Sequence, residues 1–156
     1  MQYKRLDIKN QAGTILNYPI NAEKVILDPI AFAQDTYVKS MKPGIVVTIG
    51  AEGHLKPAGT SADEVPLGFL VNDVAGYANQ NVNARASSAG AVLVGNGNLI
   101  VTDNVKEDNI TTGEKLYVDA TTGQLTKTQG TLTTPVAVAV SENSATNKAL
   151  VIQTLI

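Results

Sequence analysis

Apolar and polar residues alternate in short runs along most of this chain. Ile45, Val47 and Ile49 share one parity in GIVVTIG, and Leu116 and Val118 share one in EKLYVD, with Lys115 and Tyr117 opposite. A period of two puts such residues on one face of a pleated strand, because successive side chains point to opposite sides. The runs are broken by Gly, Asn, Asp and Thr, the residues that supply turn geometry. The pattern therefore predicts strands joined by tight turns.

Two stretches share this grammar. A shift of 69 positions carries Gly44 onto Gly113, Ala51 onto Ala120 and Pro66 onto Pro135, and Gly53-His54-Leu55 meets Gly123-Gln124-Leu125 after one inserted residue. The lead-ins Ser40-Met41-Lys42-Pro43-Gly44 and Asn109-Ile110-Thr111-Thr112-Gly113 correspond at the same offset. Internal similarity of this kind marks a duplicated supersecondary unit. After each proline a strand is expected with large residues on one side, Leu67, Phe69 and Val71 or Val136, Val138 and Val140. Its other side is small, Gly68 or Ala137 and Ala139, as where another backbone packs closely, so this strand is expected to be central. Each copy then passes through a polar turn into a last strand. In the first copy that strand is VNARA, with Asn83 and Arg85 outward; in the second it is ALVIQTLI, apolar on both faces and so expected to be buried on two sides.

Between the copies, AVLVGNGNLIVTDN sets two apolar runs around Gly95-Asn96-Gly97-Asn98. Asn-Gly supplies the positive φ angles of a tight turn, and a β-hairpin is predicted. The fold class is thus all-β: a compact sandwich or barrel-like body over 43–156, built from two related β-meander units. Unit A covers 43–88, the hairpin 89–104 and unit B 109–156. Residues 1–42 belong to neither copy and read as an extended N-terminal arm. Asp28-Pro29 resembles a helix start, and Ile30, Ala33, Tyr37 and Met41 recur at spacings of three or four, which predicts a short helix near 29–41. An irregular extended segment is the rival there, since Thr36-Tyr37-Val38 favours strand.

Composition adds exclusions. Lys plus Arg number 12 against 14 Asp plus Glu, so no overall field steers the chain to nucleic acid or to a lipid surface. Residues 1–42 carry six basic and four acidic groups and the remainder six and ten, a mild asymmetry that fits an arm reaching onto an acidic neighbour and fits an ordinary solvated surface equally. No run approaches the roughly 20 apolar residues that span a bilayer, and no apolar stretch follows the basic start as a cleaved signal requires. Cys is absent, which removes disulfides, thiolate nucleophiles and Cys-ligated metals.

Little chemistry is nominated. Ser-His-acid catalysis needs a base, and the single histidine, His54, sits in a turn where the second copy has Gln124. Asp103, Glu107 and Asp108 lack the spacing of a calcium loop and read as a solvated segment. Asp63, Glu64 and Asp73 sit at turns, where carboxylates bind nearby amides. No Gly-Lys-Ser or Gly-Lys-Thr follows Gly95-Asn96-Gly97, so it is no phosphate cradle, and Asn109-Ile110-Thr111 is a common chance match to a glycosylation triplet. No catalytic residue, cofactor or metal is assigned, and an enzyme is not expected.

The succession KPGIVVTIGAEGHLKPAG, PLGFLVNDVAGYANQNVNARA, AVLVGNGNLIV, TTGEKLYVDATTGQLTKT and PVAVAVSENSATNKALVIQTLI resembles the small β-rich decoration proteins of tailed bacteriophages, also called cement or head auxiliary proteins. The likeness covers residues 43–156; the first 42 depart from the shortest members of that group. It implies a structural virion protein, made in the host cytoplasm, that binds the outer surface of the expanded capsid and stabilises it. The implied partners are the major capsid protein and further copies of the chain, with a trimer favoured. Within residues 1–21, Tyr3, Lys4, Arg5, Ile8, Ile15 and Tyr18 are the expected capsid or intersubunit contacts. The alternatives are a phage fibre, tail or adhesin-type host-recognition module and, ranked lower, a small hydrolase.

Overall fold

Two antiparallel sheets account for every regular element among the residues described by the structure, a computed structural model covering 5–20, 41–50, 53–72 and 89–156. The strands are β1 (Leu6–Asn10), β2 (Thr14–Pro19), β3 (Val46–Ile49), β4 (Leu55–Pro57), β5 (Gly68–Leu70), β6 (Ala89–Val94), β7 (Leu99–Thr102), β8 (Lys115–Val118), β9 (Leu125–Thr126), β10 (Ala137–Ala139) and β11 (Leu150–Thr154). One sheet runs β2-β6-β5-β3-β4 and the other β1-β7-β11-β10-β8-β9. The chain is all-β, as its alternation predicts. The helix expected near 29–41 lies outside the described residues, except for Met41, which is buried.

The duplication is present in the hydrogen-bonded register itself. Val46 pairs with Phe69 and Val47 with Gly68; at the shift of 69, Lys115 pairs with Val138 and Leu116 with Ala137. Ile49 opposite Leu55 becomes Val118 opposite Leu125, with the one inserted residue absorbed in the turn. Both lead-in turns place a glycine at φ 92°, Gly44 and Gly113, and each donates its amide across the sheet, to Leu70 and Ala139 respectively, at 2.8 Å. Only glycine adopts that backbone without strain. β5 and β10 are interior strands of their sheets, as their small residues predict: a Cβ on Gly68 would stand 2.3 Å from the Leu93 carbonyl oxygen.

Three expectations need correction. The predicted hairpin is not one: β6 and β7 follow one another but pair in different sheets, β6 with β2 and β5, β7 with β1 and β11. A Gly-Asn turn specifies a chain reversal, yet leaves open whether its arms pair in plane or arch across a core. β6 takes in the first sheet the place that β11 takes in the second, beside β5 and β10 respectively; the strand expected at VNARA lies outside the described residues. The N-terminal segment is extended where described but not separate from the body, since it supplies an edge strand to each sheet. Finally, β11 is buried on one face only: Leu150, Ile152 and Thr154 point inward, whereas Gln153 is exposed.

Two apolar clusters explain the layering. The larger lies between the sheets, where Val46, Phe69 and Leu93 of one meet Ile100, Leu116, Val118, Ala137, Ala139 and Ile152 of the other. The second lies on the opposite face of the first sheet and contains Ile20, Met41, Val47, Leu55, Leu70 and Val92. Each fully buried side chain of this size contributes about 1.5–3 kcal/mol. Equivalent residues of the two copies thus face different clusters: Leu116 looks into the inter-sheet core and its counterpart Val47 away from it. The copies stack in tandem, so the first sheet is apolar on both faces and the second on one.

Candidate functional site

Four of the expected contact residues fall on two neighbouring edge strands, Arg5 and Ile8 at β1 and Ile15 and Tyr18 on β2; Tyr3 and Lys4 lie outside the described residues. Their short connection forms an arch beside the arch joining β6 to β7, because β1 pairs with β7 while β2 pairs with β6. Asn98 locks the arches together. Its Oδ1 accepts the backbone amides of Ala12 and Gly13, each at 2.8 Å, and its Nδ2 donates to the Gly95 carbonyl at 2.6 Å. Asn98 has no exposed surface, so these groups are satisfied internally.

The two edges differ in chemistry. β1 carries Asp7 and Lys9, and its register slips between Ile8 and Asn10. Arg5 donates its amide to Asp103 Oδ1 at 2.8 Å, and its guanidinium Nε pairs with the Asp7 carboxylate. Charges and irregular register are what keep an exposed strand edge from pairing with other chains. Ile8 is turned inward against the inter-sheet core, where it lies opposite Ile100. β2 has neither protection: its six residues TILNYP contain no charge and pair without a slip along β6. Ile15 and Leu16 are 39 % and 42 % exposed, while Tyr18 is half-buried against the second cluster. Leu16 and Asn98 were not singled out from sequence. The uncharged run between Gly13 and Pro19 was the available signal for the first; nothing in GNGN distinguishes the buried asparagine from the exposed one.

Other polar side chains serve the fold. His54 contributes its carbonyl, which accepts the Gly50 amide at 2.8 Å. Glu64 accepts amides of Gly59 and Thr60, and Glu107 accepts the Thr126 hydroxyl and the Lys127 amide. With Asp103 bound to Arg5, the acidic residues at 103–108 act separately, and no group of three His, Cys, Asp or Glu converges among the described residues. Asp73 lies outside them. The Thr122 hydroxyl beside Asp119, at 2.6 Å, holds its carboxyl below the ordinary range, with help from Lys106 at 3.1 Å. The Thr111 amide does the same for Glu114. A hollow of about 400 Å³ is lined in part by Arg5, Asp103, Gln124 and Lys148, and another of about 580 Å³ by Ile49, Lys56, Asp63 and Val65. Neither contains His54, and Lys148 Nζ is held by the Lys106 carbonyl at 2.9 Å.

A family model described as structural cement protein (E217 gp24/Pam3 gp6) matches residues 12–155, a span that takes in β2 through β11. No curated protein matches the chain.

Proposed function

The chain belongs to the phage structural cement protein family, and from that premise we propose that it binds the outer surface of an assembled bacteriophage capsid and stabilises the expanded head without catalysis. Its partners are the major capsid protein and other copies of itself, and Arg5, Ile15 and Tyr18 on the N-terminal edge contribute to those contacts. The observation that carries this reading, beside the family, is the uncharged edge strand β2, on which Ile15 and Leu16 are exposed and beyond which no described strand lies. Apolar side chains set along an open strand edge mark a surface for association. Among the described residues, Glu107, Glu114 and Asp119 each accept a backbone amide of a nearby turn or strand, a structural use of carboxylates that agrees with a binding role.

The test is to mix the purified chain with expanded, undecorated heads and count bound copies by electron microscopy. Saturable occupancy at fixed lattice positions is expected, with heads that resist heating better than bare ones. Arg5→Glu and Ile15→Lys should reduce occupancy at limiting protein. Heads left bare at saturating protein, with the same protein adhering to host cells, would transfer the chain to a host-recognition role.

A further inference from the structure

The turn Gly95-Asn96-Gly97-Asn98, between β6 and β7, puts two asparagines in opposite circumstances. Asn98 is buried, hydrogen-bonded and followed by Leu99, whereas Asn96 is exposed and followed by Gly97, the one Asn-Gly step in the chain. Asparagine is a thermolabile residue, because the backbone nitrogen that follows it can attack its side-chain carbonyl carbon. A glycine there has no Cβ to obstruct the approach. The backbone on both sides of Asn96 is pinned to β11. The Gly95 carbonyl accepts the Thr154 hydroxyl at 3.1 Å, the Gly97 amide donates to the Thr154 carbonyl at 2.8 Å, and the Asn98 amide donates to Thr154 Oγ1 at 3.1 Å. The nitrogen that would attack is thus the one whose N–H is held.

We infer that Asn96 is a site of spontaneous deamidation, and that the hydrogen bond from Gly97 to Thr154 holds the reaction back in the folded chain. In the reaction the Gly97 nitrogen gives its proton to solvent and bonds to Asn96 Cγ, while the Cγ–Nδ2 bond breaks and Nδ2 takes up a proton and leaves as ammonia. Water then opens the cyclic imide at either carbonyl, giving aspartate or isoaspartate. One side-chain amide and one water become one carboxylate and one ammonium ion, with no change of oxidation state. Attack requires the Asn96–Gly97 peptide to turn its nitrogen toward the side chain and to give up the N–H. The bond to the Thr154 carbonyl opposes both, and Thr154 has no exposed surface. The folded-state rate is therefore the rate of the opened turn multiplied by the fraction of chains in which this end of β11 is open, the relation that also governs amide exchange. Isoaspartate adds a backbone atom between Gly95 and Gly97, a lengthening that the three bonds to Thr154 do not accommodate together. The product loosens the turn in which Asn98 holds the amides of Ala12 and Gly13, so damage at one exposed side chain reaches the arch between β1 and β2.

Incubation of the full chain at mildly alkaline pH, in buffer and in concentrated urea, tests this by peptide mapping for a gain of one mass unit and by isoaspartate-specific methylation. In urea Asn96 is expected to be the fastest-modified asparagine of the chain. In buffer it should react about tenfold or more slowly than in urea. Asn98→Ala, which removes the side chain that braces the turn, should speed the reaction at Asn96 several-fold in buffer and leave the rate in urea unchanged. Should Asn98→Ala fail to fold by circular dichroism, Thr154→Val, which removes the hydroxyl bonds and keeps the shape, carries that comparison. Asn96→Gln, whose longer side chain closes a less favourable ring, should abolish the signal at this position. Another asparagine leading in urea, equal rates at Asn96 in buffer and urea, or a folded variant that does not accelerate it overturns the inference.

Discussion

Asn98 and Thr154, 56 residues apart and both without exposed surface, are joined by three hydrogen bonds: the Asn98 amide and Nδ2 donate to Thr154 Oγ1 at 3.1 and 3.2 Å, and the Thr154 amide donates to the Asn98 carbonyl at 2.9 Å. Thr154 Oγ1 in turn donates to the Gly95 carbonyl at 3.1 Å. A turn in the middle of the chain is thereby fixed to its C-terminal strand. Thr154→Val keeps the shape but leaves the buried Asn98 backbone amide without its hydroxyl acceptor, which costs about 1–3 kcal/mol. Asn98→Ala also frees the amides of Ala12 and Gly13 and should cost more. Urea unfolding of both variants and of the double variant measures this; because the residues share one network, the double variant should lose less than the sum.

Gly44 and Gly113 offer a matched pair. Both sit at φ 92°, but a Cβ on Gly113 meets nothing within 4 Å, whereas one on Gly44 would stand 2.6 Å from Thr102 Oγ1. Gly113→Ala therefore reports backbone strain alone, about 1–2 kcal/mol. Gly44→Ala should lower the unfolding midpoint further. Equal midpoints for the two variants would show that Thr102 yields freely.

Phe69 and Val138 occupy the same register position of the two copies with opposite outcomes. Phe69 is buried between the sheets and Val138 is half-buried on the outer face of its own. Phe69→Ala should cost about 3–5 kcal/mol and Val138→Ala under about 1 kcal/mol. Comparable losses in thermal unfolding would mean that the copies stack face to face and not in tandem.

Asp119 gives the fold a response to acid. Its carboxyl is lower in the folded chain than in the unfolded one, because Thr122 and Lys106 bind the charged form. A lowered pKa contributes stability that is present above the ordinary aspartate value, about 3.9, and fades as pH falls through the folded-state value below it. Asp119→Asn should therefore lower the melting temperature at pH 7 and make little difference near pH 2, the gap closing between.

Much of this architecture is written in local pattern. Alternation in GIVVTIG and EKLYVD marks β3 and β8, and the glycines at 44 and 113 mark the turns that set their register. What local pattern does not carry is which face looks inward. Val46 and Val47 are both apolar and both buried, because the first sheet packs on two sides; in the second copy Lys115 exposes that difference. Nor does the chain announce its arches. AVLVGNGNLIV has the composition of a hairpin, and only the partners available to each arm, β2 and β5 for one, β1 and β11 for the other, send them to separate sheets. Nor does the pattern of residues 5–18 announce that they form two edges of unlike chemistry, one in each sheet.

Sheet membership also orders events during synthesis. Every described strand of the first sheet lies within residues 14–94, so these can assemble before β7 has been made, while β1 must wait for its partner β7 at 99–102. β1 is therefore expected to dock late. Ile8→Ala should accordingly hasten unfolding and leave the refolding rate nearly unchanged in stopped-flow measurements. A slowed refolding limb would place the N-terminal strand in the nucleus instead.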